Sequence, residues 1–86
     1  MKLIFSKKAD KQLSKFNPFV RKKILKILGK FQSGERVDIK KMKGRKDEYR
    51  IRVGEYLILM KNMKENEFLI TEFGKRENIY FFDIMT

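Results

Sequence analysis

The stretch "YRIRVGEYLIL", Tyr49–Leu59, decides the fold. Apolar and charged residues alternate with period two as far as Val53. Tyr49, Ile51 and Val53 therefore share one face of a strand, and Arg50 and Arg52 share the other. Gly54-Glu55 follows as a two-residue hairpin turn of the type that wants glycine first. Such a turn pairs Val53 with Tyr56, Arg52 with Leu57, Ile51 with Ile58 and Arg50 with Leu59. Leu57 and Leu59 then lie on the arginine face.

The next turn falls in "KENE" (64–67). A two-residue loop at Glu65-Asn66 sets Phe73 opposite Ile58, Thr71 opposite Met60 and Leu69 opposite Asn62 on the core face. It sets Glu72 opposite Leu59 and Gly74 opposite Leu57 on the arginine face. A slip by one residue would bury Glu72, which selects this register. By the same parity Arg76 points to the side of Arg50 and Arg52, and Glu72 is the expected ion-pair partner of Arg50 across Leu59.

Upstream the period changes. "KLIF" (2–5) reads as a short strand, Ser6 as an N-cap, and Ala9, Leu13 and Phe16 recur at helical spacing. "NP" (17, 18) restarts the chain, because Asn caps well and Pro is tolerated at the first helical position. Val20, Ile24, Ile27, Leu28 and Phe31 then form one apolar stripe that ends near "QSGE" (32–35). "VDIKKMKGRKD" (37–47) is a basic connection with a short extended piece around Ile39. The prediction is one α+β domain over 1–86, in the order β-α-α-β-β-β. Two N-terminal helices pack on one face of a small twisted antiparallel sheet and leave the other face open.

Composition narrows the function. A chain of 86 residues buries only roughly 60 to 65% of the surface its unfolded form exposes. Net charge is +11, which points to nucleic acid, an anionic surface or an acidic partner. Residues 1–46 hold 13 Lys and 3 Arg against 3 acids, a net +13, and residues 47–86 hold 6 basic and 8 acidic residues, a net −2. Without cysteine there is no disulfide framework or thiolate nucleophile; without histidine the commonest general base and metal ligand is missing. No metal or other cofactor is expected. The opening "MKLIFSKKAD" has too short an apolar run for a signal peptide and no later stretch approaches a membrane span, so a cytoplasmic location is expected.

Guanidinium groups at i and i+2 on a strand stand roughly 6.6 to 6.8 Å apart and point the same way. Their planar forks bind phosphate bidentately and stay protonated, so they can hold a backbone and stabilise developing negative charge but cannot act as bases. A solvated strand face is the competing reading of the same pair. Leu57 and Leu59 on an otherwise open face read as an apolar docking strip.

Three further stretches carry a resemblance: "KKMKG" (40–44), "YRIRVGEY" (49–56) and "FGKRENIY" (73–80). In order and spacing the chain resembles the RelE/ParE superfamily of type II toxins, and more closely its RelE-like branch, over nearly its whole length. The resemblance implies a ribosome-dependent mRNA endonuclease (an mRNA interferase) that directs the ribose 2′-OH at the adjacent phosphate without metal. It gives Arg50, Arg52, Arg76 and Tyr80 the catalytic positions. Lys41, Lys43, Arg45 and Lys75 are the expected contacts to the substrate, and an antitoxin is the expected occupant of the strip at Leu57 and Leu59. The resemblance also implies partners: a cognate acidic antitoxin, the ribosome with its message, and operator DNA only as a complex with the antitoxin.

Two departures from the family pattern stand out. Leu57 occupies a position where RelE-like chains usually carry an arginine, and the strand pair is Arg-Arg where the best-known branch has lysines. Proton transfer then falls to Tyr80, Glu72, Lys43 or ribosomal RNA. Two other functions therefore remain open: a ParE-like toxin that acts on DNA gyrase through protein contact, and a degenerate member that retains antitoxin binding and operator repression.

Overall fold

The computed structural model describes residues 1–75. Its elements are β1 (Lys2–Phe5), α1 (Lys7–Lys15), α2 (Pro18–Gln32), β2 (Ile39–Lys41), β3 (Glu48–Val53), β4 (Tyr56–Lys64) and β5 (Glu67–Lys75). The five strands form one sheet in the order β1-β5-β4-β3-β2. The α+β class and the helix pair are as expected, but the sheet is mixed. β1 runs parallel to β5, Leu3 beside Phe68 and Phe5 beside Ile70, and β2 extends the opposite edge with Lys40 beside Arg50.

Local chemistry starts each helix. The Ser6 hydroxyl accepts from Ala9 N–H at 3.0 Å, and Asn17 Oδ1 accepts from Val20 N–H at 2.9 Å just ahead of Pro18. Each side chain satisfies an amide that the first helical turn leaves without a partner. Arg21 closes the corner between the helices. Its guanidinium donates to the carbonyls of Leu13 (3.1 Å), Ser14 (3.1 Å) and Phe16 (2.8 Å). A cation on the exposed carbonyls at the end of α1 also complements the helix dipole.

The helices bury Ala9, Ile24 and Leu28 against Ile51, Val53, Ile58, Met60, Ile70 and Phe73 of the sheet. Rings bind this layer together: Phe16 meets Tyr56 edge-on at 5.2 Å and Phe73 at 5.8 Å, and Phe68 packs between Phe31 (5.1 Å) and Tyr49 (5.9 Å).

The β3–β4 register is the one read from the sequence, and Gly54 holds the positive φ (59°) that its turn requires. β5 departs from the reading midway. Phe73 faces Ile58 and Glu72 faces Leu59 as expected, but Ile70 lies beside Met60 and Phe68 beside Asn62. One bulge at Thr71 shifts the ladder and a second, at Met63, shifts it back before the Glu65-Asn66 turn. The core face of β5 therefore carries Phe68, Ile70 and Phe73, not Leu69 and Thr71. An unbroken ladder would have turned Phe68 and Ile70 toward solvent and a threonine hydroxyl inward. The bulges bury more apolar area and avoid that cost.

The Thr71 bulge is tied at both ends. Its carbonyl accepts from the Ser6 hydroxyl at 2.7 Å, and its own hydroxyl donates to the Leu59 carbonyl at 3.2 Å. Beyond the end of β1, Gln12 takes over the free edge of β5 by bonding both backbone groups of Phe73. No helix among the described residues is long and apolar enough to cross a membrane.

Candidate phosphate-binding face

Register fixes which residues share the sheet face away from the helices. One row across the strands is Glu72, Leu59, Arg50 and Lys40; the next is Gly74, Leu57 and Arg52. Arg50 is half-buried, and Arg52 and Lys40 are exposed. Three cations thus stand on adjoining positions of β2 and β3, with Gly74 contributing no side chain at the other end of the Arg52 row. Guanidinium forks in this arrangement can hold the oxygens of a phosphodiester and stabilise charge that develops on them.

Nothing in the sequence around Lys40 marks it for this face. Its neighbour Lys41, an expected substrate contact, lies beside Tyr49, whose ring packs on the helix side. Lys75 lies beside Tyr56, so parity also turns it toward the helix side. Lys43 is exposed in the turn that follows Met42, and Arg45 forms an ion pair with Glu48 at 3.6 Å. The structure therefore gathers Arg50, Arg52 and Lys40, and separates Lys41 and Lys75 from them. Arg76 and Tyr80 lie outside the described residues.

Two further expectations are corrected. Leu57 is 1% exposed and Leu59 is half-buried, so they do not form an open apolar strip. Both Leu57 and Met42, at 3%, are buried outside the cluster beneath the helices, which gives this face an apolar floor of its own. Parity assigned Leu57 its face correctly; it carries no information about what shields a residue on the central strand. Glu72, expected to reach Arg50, instead forms its ion pair with Lys8 of α1 at 3.4 Å. Ser6, the cap of that helix, bonds the Thr71 carbonyl one residue before Glu72.

No protein-family model matches the chain, and neither does any curated protein. Solved structures do. A RelB–RelE antitoxin–toxin complex from Methanococcus jannaschii contains a chain 31% identical to this one, with a TM-score of 0.75 over 92% of this chain and 96% of that one. The isolated RelE toxin of E. coli superposes with a TM-score of 0.74 at 24% identity, covering 98% and 95% of the two chains. The intact E. coli RelBE complex gives 0.72 at 24% identity over 86% and 94%. Two helices on one face of a mixed five-stranded sheet are thus the architecture of RelE toxins. The chain belongs to the RelE toxin family.

Proposed function

We propose that this chain is the toxin of a type II toxin–antitoxin pair and acts as an mRNA interferase on translating ribosomes. One observation carries the reading: Arg50 and Arg52 share the sheet face away from the helices, and Lys40 lies beside Arg50 on the same row. Three cations so arranged suit a phosphodiester, and the chemistry asks little else of the protein. The ribose 2′-oxygen attacks the adjacent phosphorus while the bond to the 5′-oxygen breaks. A 2′,3′-cyclic phosphate and a 5′-hydroxyl result, with one proton leaving the 2′-OH and one reaching the departing oxygen. Arg50 and Arg52, completed by Arg76, hold the phosphate and offset its transition-state charge. Tyr80, Lys43 or groups of the ribosomal RNA move the protons. The ion pair with Lys8 draws the Glu72 carboxylate toward α1, which disfavours it as the base. The step calls for no cofactor.

The partner follows from relatives found in RelB–RelE complexes and from the +11 charge: an acidic antitoxin, which binds operator DNA together with the toxin. Primer extension on a message translated in a cell-free system with the purified chain tests the enzymatic reading. Discrete cuts within codons on ribosomes, with free RNA left intact, are expected. DNA breaks linked to gyrase without RNA cuts would select the ParE-like alternative.

Leu57 favours a second reading. An apolar, buried side chain opposite Arg52 supplies no cation at the position where the RelE-like pattern has an arginine. Loss of one such donor typically lowers a rate by about 10² to 10³. A weakened nuclease that retains antitoxin binding and operator repression would have this face, and it would show faint cuts or none in the same assay.

A further inference from the structure

On the helix side, a groove of about 260 Å³ opens between the first half of α2 and the β3–β4 turn. Its walls are Phe19, Val20, Ile24, Val53 and Tyr56, and Lys23 and the Gly54-Glu55 turn complete its lining. Phe19 is the anomaly. It is 71% exposed, more than any other large hydrophobic side chain among the described residues. The stripe next to it, Val20, Ile24 and Leu28, does the packing, and phenylalanine is only a middling helix former. An exposed ring beside an apolar groove is the arrangement of a docking point rather than of a core.

We propose that this groove seats a large apolar side chain from an acidic polypeptide segment, the antitoxin of the toxin–antitoxin reading on which this inference rests. Charge selects the occupant. α1 and α2 carry eight Lys and one Arg against a single acid, Asp10; Lys23 at the groove is exposed, and Lys22 and Lys26 are exposed on the adjoining surface of α2 with Pro18 and Leu25. Acidic residues flanking the anchor would meet them and steer the encounter. The walls disfavour a nucleobase. Three of them are aliphatic, the Phe19 ring already has the Lys23 ammonium 5.3 Å from its centre, and Tyr56 is engaged by Phe16. The groove belongs to the same side of the sheet as Val53 and Tyr56, so its occupant reaches Arg50 and Arg52 only by passing round the Gly54-Glu55 turn. Anchoring and inhibition are thus separable parts of one interface.

The test uses the full chain, the product of the neighbouring gene, and titration calorimetry. Phe19→Asp suits the purpose because an acidic residue is welcome in the first turn of a helix and the ring it replaces is 71% exposed, outside the core, with the Lys23 ammonium over its face. Affinity should fall at least about tenfold, equivalent to about 1.4 kcal/mol, with ribosomal mRNA cleavage and melting temperature unchanged. Phe19→Leu should retain most of the affinity. Equal affinity for Phe19→Asp and the parent chain overturns the groove assignment and leaves the toxin–antitoxin reading standing. Failure of the neighbouring protein to bind the parent chain removes both. Loss of binding to a labelled single-stranded RNA, with antitoxin affinity unaltered, would assign the groove to nucleic acid and overturn the proposal.

Discussion

Gln12 of α1 holds the backbone of Phe73 with both ends of its amide: the nitrogen donates to the Phe73 carbonyl at 3.0 Å and the oxygen accepts from the Phe73 N–H at 2.7 Å. Phe73 is itself 2% exposed, so these backbone groups have little access to water. Gln12→Ala leaves both without partners and should cost about 2 to 4 kcal/mol, one desolvation penalty of about 1 to 3 kcal/mol for each group, eased by partial rescue. Urea unfolding checks this. Gln12→Glu, which accepts but cannot donate, should fall between the two.

Arg52→Ala should lower ribosomal mRNA cleavage by about 10² to 10³ while stability stays within about 0.5 kcal/mol, because Arg52 is exposed. Arg50→Ala should match the loss in rate. Lys40→Ala should do less, about tenfold, since an ammonium binds phosphate as a point charge without a fork. Primer extension against melting curves separates the two quantities. Three fully active variants would disconnect this face from the chemistry.

Leu57 sets opposing demands. Substituting Leu57→Arg adds the cation that the RelE-like pattern expects, but it does so at a side chain that is 1% exposed. The variant should lose at least about 2 kcal/mol of stability to a poorly solvated charge. Leu57→Ala should lose about 2 to 5 kcal/mol, as large-to-small changes at buried sites do. Denaturation midpoints of the two variants decide it; a Leu57→Arg chain as stable as its parent would mean that the residue can turn out to water.

Ser6→Ala removes a helix cap and the support of a bulge together. The hydroxyl accepts from Ala9 N–H and donates to the Thr71 carbonyl. The cap alone is worth about 1 kcal/mol and the lost donor about another, so about 2 kcal/mol of destabilisation is expected. Thr71→Val, which removes only the bond to the Leu59 carbonyl, should cost about half as much. Additivity fails if the two act on one bulge, and the double variant measures that coupling.

Much of this was legible in the sequence because it is local. Ser6, Asn17-Pro18 and Gly54 each act within a few residues of where they stand, so helix starts and the first hairpin followed from residue chemistry. What was not legible depends on residues distant in the chain. The parallel pairing of β1 with β5 joins positions more than sixty apart. The bulges at Met63 and Thr71 cancel each other, so the strand ends match an unbroken ladder and the displaced middle leaves no trace at either turn. Lys40 gives no local signal, because its place beside Arg50 depends on how a three-residue strand docks. The burial of Leu57 reflects what lies over the face, which alternation does not encode.

The pairing of β1 has a consequence for synthesis. Among the described residues β1 pairs only with β5, through Lys2 N–H to the Asn66 carbonyl at 2.7 Å and the Phe5–Ile70 end of the ladder. β1 must therefore wait until residues 67–70 have been made before it has its neighbour in the sheet. The helices can form early, but the edge that Ser6 and Gln12 secure closes only after residue 73 has emerged. Such distant contacts make folding slow. A nascent copy of this chain is thus without its finished sheet until residue 73 is clear of the ribosome.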